Sequence, residues 1–542
     1  MTDVTRRTFL GMAGAAAALP ALAACGSGGS KSVSNAGKDL APWPTYLPFK
    51  GPKPDLPGDE HGVQNCYLTY PKEIVRSVHG KVGDGTDVTA LVITYSTPPK
   101  PLESNRFWQA VNAALGVNLK LITVPDSEYA AKMATVMASG DLPDIILFGA
   151  GYTLPREQQF IETKCADLSD HLSGDHVKTY PNLANIPPYA WKGVGRIGGK
   201  LYGVPIERPL PGVSLLVNRT ALAGVPARWS KDEFSAAVKG YTSGRRWGIG
   251  GSTTGFGQPS AAPSYHAGAF GAPNLWRLSS GGKFVSTYET AEYQEALAFM
   301  RSLHDAGAFY PDSLSTSQVD LKSLFYNQTL LSITDGYGAY SGAVTAVKEQ
   351  WLVDFALPYH TGTDWTPWQG TGRFGYAVFK KAPAKRVEML LRVLNFLAAP
   401  FGTTEYELCN FGVEGAHFTR NDTGIVLTDL AKTENNGTLP IKYVANAPLA
   451  LYQPGYPAAS KRVWEWEKAM LPRSIPDPSN GIRSATYTAQ GATLDKMLSD
   501  AMSAIVFGRA PVSSWKDTVK QWKSAGGDRI AAEYAKEYAA VH

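Results

Sequence analysis

Apolar and β-branched positions first organise near Val88. Val88-Thr-Ala-Leu-Val-Ile-Thr-Tyr95 is closed by Ser96-Thr97-Pro98-Pro99 and predicts a buried strand leading into a loop. Phe107, Val111 and Leu115 recur at every fourth position, which marks one face of a helix, and Gly116 stops it. Val117 to Val124 predicts a second strand, Asp126 a cap for a helix carrying Tyr129, Met133, Val136 and Met137, and Asp144 to Phe148 a third strand. This alternation specifies a parallel, doubly wound α/β sheet whose ligands bind at the carboxyl ends of its strands. The expected site loops are therefore Thr94 to Thr97 and Gly149 to Thr153, which nominates Tyr95, Ser96, Gly151 and Tyr152.

A second unit begins at the predicted strand Val213 to Asn218. It continues through a helix-rich stretch containing Trp229, Phe234, Tyr288, Tyr293, Leu297 and Met300, and then a strand from Leu330 to Thr334. Phe374 to Phe379 predicts a further short strand. Arg386 to Ala398 predicts a helix with Val387, Leu390, Leu391, Leu394 and Leu397 on its buried side. From about residue 440 the pattern is helical, with Trp464, Trp466, Met470, Met497, Trp515 and Trp522; the tryptophans at 464, 466 and 515 read as core.

The chain has 542 residues, of which 44% are hydrophobic and 18% charged, so a core can offset chain entropy and one core is too few for this length. Two domains are expected. The 52 basic and 47 acidic residues are interspersed without a long basic run, which argues against nucleic-acid binding. Arg6-Arg7-Thr-Phe9-Leu10 and the Ala-rich run after it read as an export signal of the twin-arginine kind, too short to span a bilayer. Leu22-Ala-Ala-Cys25 has the pattern of a bacterial lipoprotein box. Cys25 is then the lipid-modified first residue of the mature chain after removal of residues 1–24. Residues 26 to about 60 are rich in Gly, Ser, Pro and Lys and predict a partly stiff leash. Cys66, Cys165 and Cys409 are expected as buried thiols, with at most one disulfide among them.

Four segments resemble a known family, the family 1 extracellular solute-binding lipoproteins of carbohydrate ABC transporters, and in particular its LplA/LipO-like branch. They are Ser139-Gly-Asp-Leu-Pro-Asp144-Ile-Ile, Gly271-Ala-Pro-Asn274-Leu-Trp276 with the helix ending near Ala308, Leu330 to Tyr340, and Phe411-Gly-Val-Glu414-Gly-Ala-His417-Phe418. The last is the most specific. The resemblance implies the type II fold of periplasmic binding proteins, in which two α/β lobes joined by a hinge close over a sugar. Crossings between lobes are expected near Ile206 to Gly212, Trp368 to Arg373 and His417 to Thr423. The first lobe is then 86–210 with 370–420 and the second 211–369 with 421–542, after a lipidated amino terminus and linker at 25–85. Many relatives carry a calcium-loop-like insertion after the helix beginning at Trp229-Ser-Lys-Asp232-Glu233-Phe234. Tyr241-Thr-Ser-Gly-Arg245-Arg246-Trp247 here lacks the alternating oxygen ligands, so no structural calcium is expected there; no other metal and no cofactor are expected either.

Ligand contacts are expected from residue types that satisfy hydroxyls and stack on C–H faces. Tyr337 and Tyr340 follow a strand through Gly336 and Gly338, where a sugar ring can come close. Trp365 and Trp368 lie in a Gly- and Thr-rich loop, Trp276 in its motif, and Glu207 and Arg208 at the first crossing. Glu414 and His417 carry the signature, and a hinge-turn role would leave the same pattern. The implied partners are a carbohydrate ligand, the permease subunits of an ABC transporter, and the extracytoplasmic membrane face through Cys25, with a monomeric state and no nucleic acid. Neutral and uronate-containing oligosaccharides are equally allowed.

Motifs for an activated nucleophile, H-E-x-x-H, C-x-x-C and a Walker loop are missing from the sequence, and Gly248-Ile-Gly-Gly251 and Gly255-Phe-Gly257 lack the lysine that a phosphate loop needs. The expectation is a binding protein and not an enzyme. Two rivals remain: a secreted glycosidase using a carboxylate pair such as Asp144 with Glu207, and a surface adhesin that binds glycans without delivering them.

Overall fold

Two sheets, each with its own core, organise the chain. The computed structural model describes residues 33–542 apart from Ser96, 150–151, Thr153, 253–262, Glu349, 363–364, Thr423, Asn436 and Thr438. The expected lipidation site at Cys25 lies outside the described residues.

In the first lobe, strands Asp87–Thr94, Asn118–Pro125 and Ile145–Gly149 run parallel. Arg373–Phe379 lies antiparallel between Ile145–Gly149 and Gly203–Glu207 and completes a five-stranded sheet. The β-branched runs form the centre because both sheet faces are covered: Leu91 to Ile93, Ile145 to Leu147 and Ala377 to Phe379 are without solvent exposure. Helix Arg106–Leu115 is capped by the Asn105 side chain and stopped by Gly116 at φ +64°. Asp126, expected as a cap, is instead the first residue of helix Asp126–Ser139, and its carboxylate accepts the Tyr152 hydroxyl. Helix Ala384–Leu397 buries nine of its fourteen residues, so its buried side is wider than one stripe.

The second lobe carries a smaller sheet of Val213–Asn218, Trp247–Ile249, Leu330–Gly336 and Val353–Ala356. Val213–Asn218 is antiparallel to two neighbours, and Trp247–Ile249 is parallel to Leu330–Gly336. Helix Lys231–Tyr241 starts with a capping box between Ser230 and Glu233. Helices Ala291–Asp305 and Ala485–Val506 pack an aromatic core of Trp229, Phe234, Tyr293, Tyr359 and Trp515. Trp466 is buried in a neighbouring cluster, and the Trp464 indole donates to the Pro57 carbonyl.

Sheet membership locates the crossings. Residues 208–212 join Gly203–Glu207 to Val213–Asn218, and 357–372 join Val353–Ala356 to Arg373–Phe379. The two segments bond to each other, Gly370 N–H donating to the Leu210 carbonyl at 2.7 Å. The third expected crossing, His417 to Thr423, is corrected. Phe418–Asn421 and Gly424–Leu427 form a hairpin that stays on the first lobe, where the helix Asp429–Glu434 after it accepts the Arg106 N–H at 2.9 Å through Glu434. The chain passes to the second lobe only after Ala445, reaching helix Pro457–Met470. A hairpin needs no partner lobe to satisfy its backbone, so sequence spacing gave no sign of the later crossing.

The expected leash is corrected over its described part. Residues 33–85 have little regular structure, yet Asn35 is buried and donates to the Arg196 carbonyl, Trp43 lies 3.7 Å beneath the Arg196 guanidinium, and Gln64 reaches Glu467. Proline and glycine forbid regular elements there, and packing holds the strap down regardless. Cys66, Cys165 and Cys409 are buried and form no disulfide among the described residues, and burial pushes the first two thiols up to about 12.

Candidate functional site

The carboxyl ends of the first lobe's strands face the second lobe, and a cavity of about 540 Å³ lies there. One wall comes from strand ends: Phe148 and Gly149 close Ile145–Gly149, Arg373 and Tyr376 open the antiparallel strand, and Tyr152 and Glu157 follow in the next loop and helix. The opposite wall comes from the second lobe: Trp276, Tyr288, Trp522, Tyr534 and the turn Asp477 to Ser484. Each wall presents rings. Phe148 and Tyr376 stack with centroids 5.7 Å apart, and Trp276 lies 6.1 Å from Trp522 and 5.5 Å from Tyr534.

Polar groups sit between the rings. The Tyr376 hydroxyl bonds Glu157, whose carboxyl is raised by burial against the opposing pull of Arg483, Tyr376 and Arg373. Burial also brings the Arg373 guanidinium down to about 10, and its buried Nε has no hydrogen-bond partner among the described residues. Asp477 is pushed up to about 6 by burial while accepting Ser479 N–H and O–H. Such a surface offers fixed donors and acceptors beside flat apolar faces, which suits a polyhydroxylated solute.

The lobes touch around this cavity. Gln158 Nε2 donates to Thr488 Oγ1 at 2.9 Å, Asn480 Nδ2 to the Thr371 carbonyl at 3.0 Å, and Arg483 Nη1 to the Val194 carbonyl at 2.9 Å. Glycine makes the approach possible: at Gly481, with φ +84°, an added Cβ would lie 1.9 Å from the Lys192 carbonyl oxygen.

Of the sequence-nominated residues, Tyr152 and Trp276 line the cavity. Trp276 belongs to the core as well, with 9% of its surface exposed. Tyr95, Arg208 and Tyr152 fall on one edge, since Tyr95 and Arg208 directly follow the strands Asp87–Thr94 and Gly203–Glu207. Tyr95 is 48% exposed and meets Phe374 and Tyr443 edge-on, and Arg208 lies over Phe374. Ser96 and Gly151 lie outside the described residues.

The other nominated side chains are held within the protein. Glu207 is buried, accepting Tyr189 O–H at 2.5 Å and Leu449 N–H at 3.1 Å. Tyr337 stacks on Phe355, with its hydroxyl 2.6 Å from Gln64 Oε1 and 2.7 Å from Glu467 Oε1. Tyr340 is buried with its hydroxyl at the Val353 and Ala459 carbonyls, so both tyrosines pack the second lobe. Trp365, expected on an exposed loop, is buried under Arg473, and the Trp368 indole donates to the Ala272 carbonyl. Glu414 is exposed and bonded to Arg420. His417 is fully buried, 3.5 Å from Glu434, its Nδ1 accepting Val413 N–H. The signature thus pins a turn: Gly412 has φ +93°, and a Cβ there would meet the His417 ring at 2.7 Å.

The rival carboxylate pair is split by the sheet. Asp144 adjoins the Phe379 end of the antiparallel strand and Glu207 pairs with its Arg373 end, about 20 Å away at ~3.3 Å per residue. Glycosidase carboxylates stand about 5 to 10 Å apart. Asp144 is bonded to Arg386 and Lys380. Among the described residues no group of three metal-ligating side chains occurs.

Sequence reasoning missed Glu157, Arg373, Arg483, Asp477, Trp522 and Tyr534. The turn-rich run Asp477-Pro-Ser-Asn-Gly481 between two helices was a usable signal. Trp522 carried none, because its helical spacing from Trp515 reads equally as core.

Comparisons with known proteins agree with this architecture. The model of the family described as bacterial extracellular solute-binding protein matches residues 107–406. The polygalacturonan/rhamnogalacturonan-binding protein YtcQ of Bacillus subtilis (strain 168) is 25% identical over 496 residues, covering 85% of this chain and 93% of that protein. Lipoprotein LipO of the same organism is 24% identical over 476 residues, covering 83% and 92%. The crystal structure of an extracellular solute-binding protein from Bifidobacterium longum subsp. infantis superposes with a TM-score of 0.62 at 15% identity, covering 84% of this chain and 98% of that one. Among the described residues no helix is long and apolar enough to cross a membrane. A family model spanning more than half of the chain, over two lobes that meet at a strand-end cavity, identifies this protein as a member of the bacterial extracellular solute-binding proteins, acting on the extracytoplasmic side of the membrane.

Proposed function

We propose that this protein captures an oligosaccharide between its lobes and hands it, unaltered, to the permease subunits of an ABC transporter. The observation that carries the reading is the interlobe cavity of about 540 Å³, whose rings and fixed polar groups come from both lobes. Its volume lies within the ~300–1,000 Å³ of small-molecule sites. The similarity to YtcQ, a polygalacturonan/rhamnogalacturonan-binding protein, supports a sugar ligand. The leader and Cys25 support a lipid-anchored receptor exported by the twin-arginine route, and the lipoprotein name of LipO agrees. Closure is rotation about the three crossings, with the ligand stabilising the closed state by the contacts it makes to both walls.

Calorimetric titration with an oligosaccharide panel tests the reading, followed by chromatography of the recovered sugar. Saturable binding with the sugar returned intact is expected. Recovery of cleaved products would overturn the assignment as a carrier, and failure of every saccharide to bind would overturn the ligand class.

A further inference from the structure

The strap of residues 33–85 is fastened to both lobes, and its two fastenings differ in kind. Around residues 57–64 it lies on the hinge. Gln64 Nε2 donates to the Leu449 carbonyl in the last crossing, and an added Cβ at Gly62 would meet Leu210 of the first crossing at 2.7 Å. From helix Pro457–Met470, Lys468 donates to Asp59 at 3.0 Å and the Trp464 indole to the Pro57 carbonyl at 3.1 Å. Contacts made to the crossing segments themselves move little when the lobes rotate about them.

The other fastening lies at the cavity rim. Val33 packs in the first lobe's core, and its carbonyl accepts Gly198 N–H at 2.9 Å. Asn35 is buried, with Nδ2 donating to the Arg196 carbonyl at 3.1 Å and Oδ1 accepting Gly199 N–H at 2.9 Å, so this end of the strap belongs to the first lobe. From there it reaches the second. Asn35 N–H donates to Glu537 Oε2 at 3.1 Å, and the Ser34 hydroxyl bonds Glu537 Oε1. Glu537 stands one helical turn beyond Tyr534 on helix Asp528–Val541, whose Ile530 and Tyr534 line the cavity and belong to the second lobe's core. Arg196 follows closely on Val194, whose carbonyl accepts Arg483 across the cleft.

Glu537 is only 5% exposed. Among the described residues it forms no ion pair, and its hydrogen bonds come from the strap alone. A buried carboxylate without donors is costly, so this side chain is seated against the first lobe only while the strap meets it. Separation of the lobes must break both bonds, because one partner is fixed to each lobe.

We infer that Ser34, Asn35 and Glu537 form a clasp that biases the lobes towards closure and so positions the two cavity walls for capture. Its effect on affinity rests on the oligosaccharide reading, whereas the bias itself does not depend on what the ligand is. A contact present only in the closed form raises the population of that form before any ligand arrives, and apparent affinity scales with that population.

Small-angle scattering of the full chain without ligand tests the bias. Wild type should give the radius of gyration of the closed lobes and Glu537→Ala a larger one, with Glu537→Gln between them because glutamine keeps one acceptor oxygen. Ser34→Ala removes a donor from the opposite partner and should shift the value in the same direction, which keeps the test open should the Glu537 variants fail to fold. In titration with the oligosaccharide panel, Glu537→Ala should bind about tenfold more weakly than wild type, and the sugar-bound forms should scatter alike. A ligand-free wild type as extended as Glu537→Ala would overturn the clasp. So would variants that lose melting temperature while scattering and affinity stay at wild-type values, since that marks a merely structural contact. Failure of every saccharide to bind would remove the oligosaccharide reading and leave the scattering comparison to decide the clasp.

Discussion

Glu467→Gln should stabilise the protein at alkaline pH, because burial raises the Glu467 carboxyl to about 7 and so favours its neutral form in the fold. This carboxyl is fully buried on helix Pro457–Met470, and its Oε2 accepts Gln64 N–H at 2.9 Å. The Tyr337 hydroxyl oxygen lies 2.7 Å from Glu467 Oε1 and 2.6 Å from Gln64 Oε1. The Gln64 amide is oriented by its Nε2, which donates to the Leu449 carbonyl at 2.6 Å. The one Tyr337 proton cannot serve both acceptors at once, so a charged Glu467 competes with Gln64 for it, whereas a protonated Glu467 can donate to the Tyr337 oxygen and leave that proton to Gln64. Burial first, and then the charges of Asp59 and Glu207, raise this carboxyl to about 7 against the hydrogen bonds from Gln64 and Tyr337. Glu207 is raised to about 7 as well, but both its oxygens accept from true donors, so it takes the charge more readily.

A carboxyl raised in the folded state binds more protons folded than unfolded between the two values. Its stabilising contribution is complete below about 4.5 and is lost as pH rises through about 7. A rise from 4.5 to about 7 corresponds to roughly 3 kcal/mol at pH 8. Glutamine reproduces the neutral acid, with an amide to donate to Tyr337 and an oxygen to accept Gln64 N–H. Urea unfolding followed by tryptophan fluorescence at pH 5, 6, 7 and 8 should show wild type losing stability with rising pH and Glu467→Gln losing much less. The two should match near pH 5 and differ by up to about 3 kcal/mol at pH 8. Parallel pH slopes, or a variant weaker at every pH, would refute the raised carboxyl at Glu467.

Tyr337→Phe removes a buried hydroxyl and should cost about 1–3 kcal/mol of stability while leaving sugar affinity unchanged, and a selective loss of affinity in titration would return Tyr337 to the site. Gly481→Ala drives a methyl into the Lys192 carbonyl, so small-angle scattering should show a larger radius of gyration and affinity should fall at least about tenfold; an unchanged profile and affinity would contradict the interlobe contact. Arg373→Gln, which removes a cavity cation whose Nε is unpartnered among the described residues, should weaken sugar binding by about 1–3 kcal/mol with an unchanged melting temperature, and equal isotherms would place Arg373 outside the ligand's reach. The thiols at 66, 165 and 409 should resist a thiol reagent until denaturant is added, and rapid labelling of the native protein would mean that at least one is accessible.

Four of the five strands of the first lobe were legible to within a residue or two, because a run such as Leu91-Val-Ile93 is compatible with few places other than a doubly covered sheet, while Gly203–Glu207 was not. The crossing after Glu207 was legible all the same, because another strand begins at Val213. Trp365 and Tyr340 show the limit: loop composition around the one and the strand-end glycines before the other marked both as ligand-facing, and only packing against Arg473 and helix Pro457–Met470 buried them. Hydrophobic period tells which side of an element is apolar and nothing of what will cover it. The sequence by itself determined the alternating α/β order of the first lobe and the helix stop at Gly116, both of which are settled by neighbours a few residues apart. Tertiary structure alone decided that Asp477 to Ser484 would meet Gly193 and Val194 across the cleft, and that the last crossing would follow Ala445. Those contacts join residues hundreds of positions apart, and their free energy comes from shape and burial that exist only once both lobes are folded.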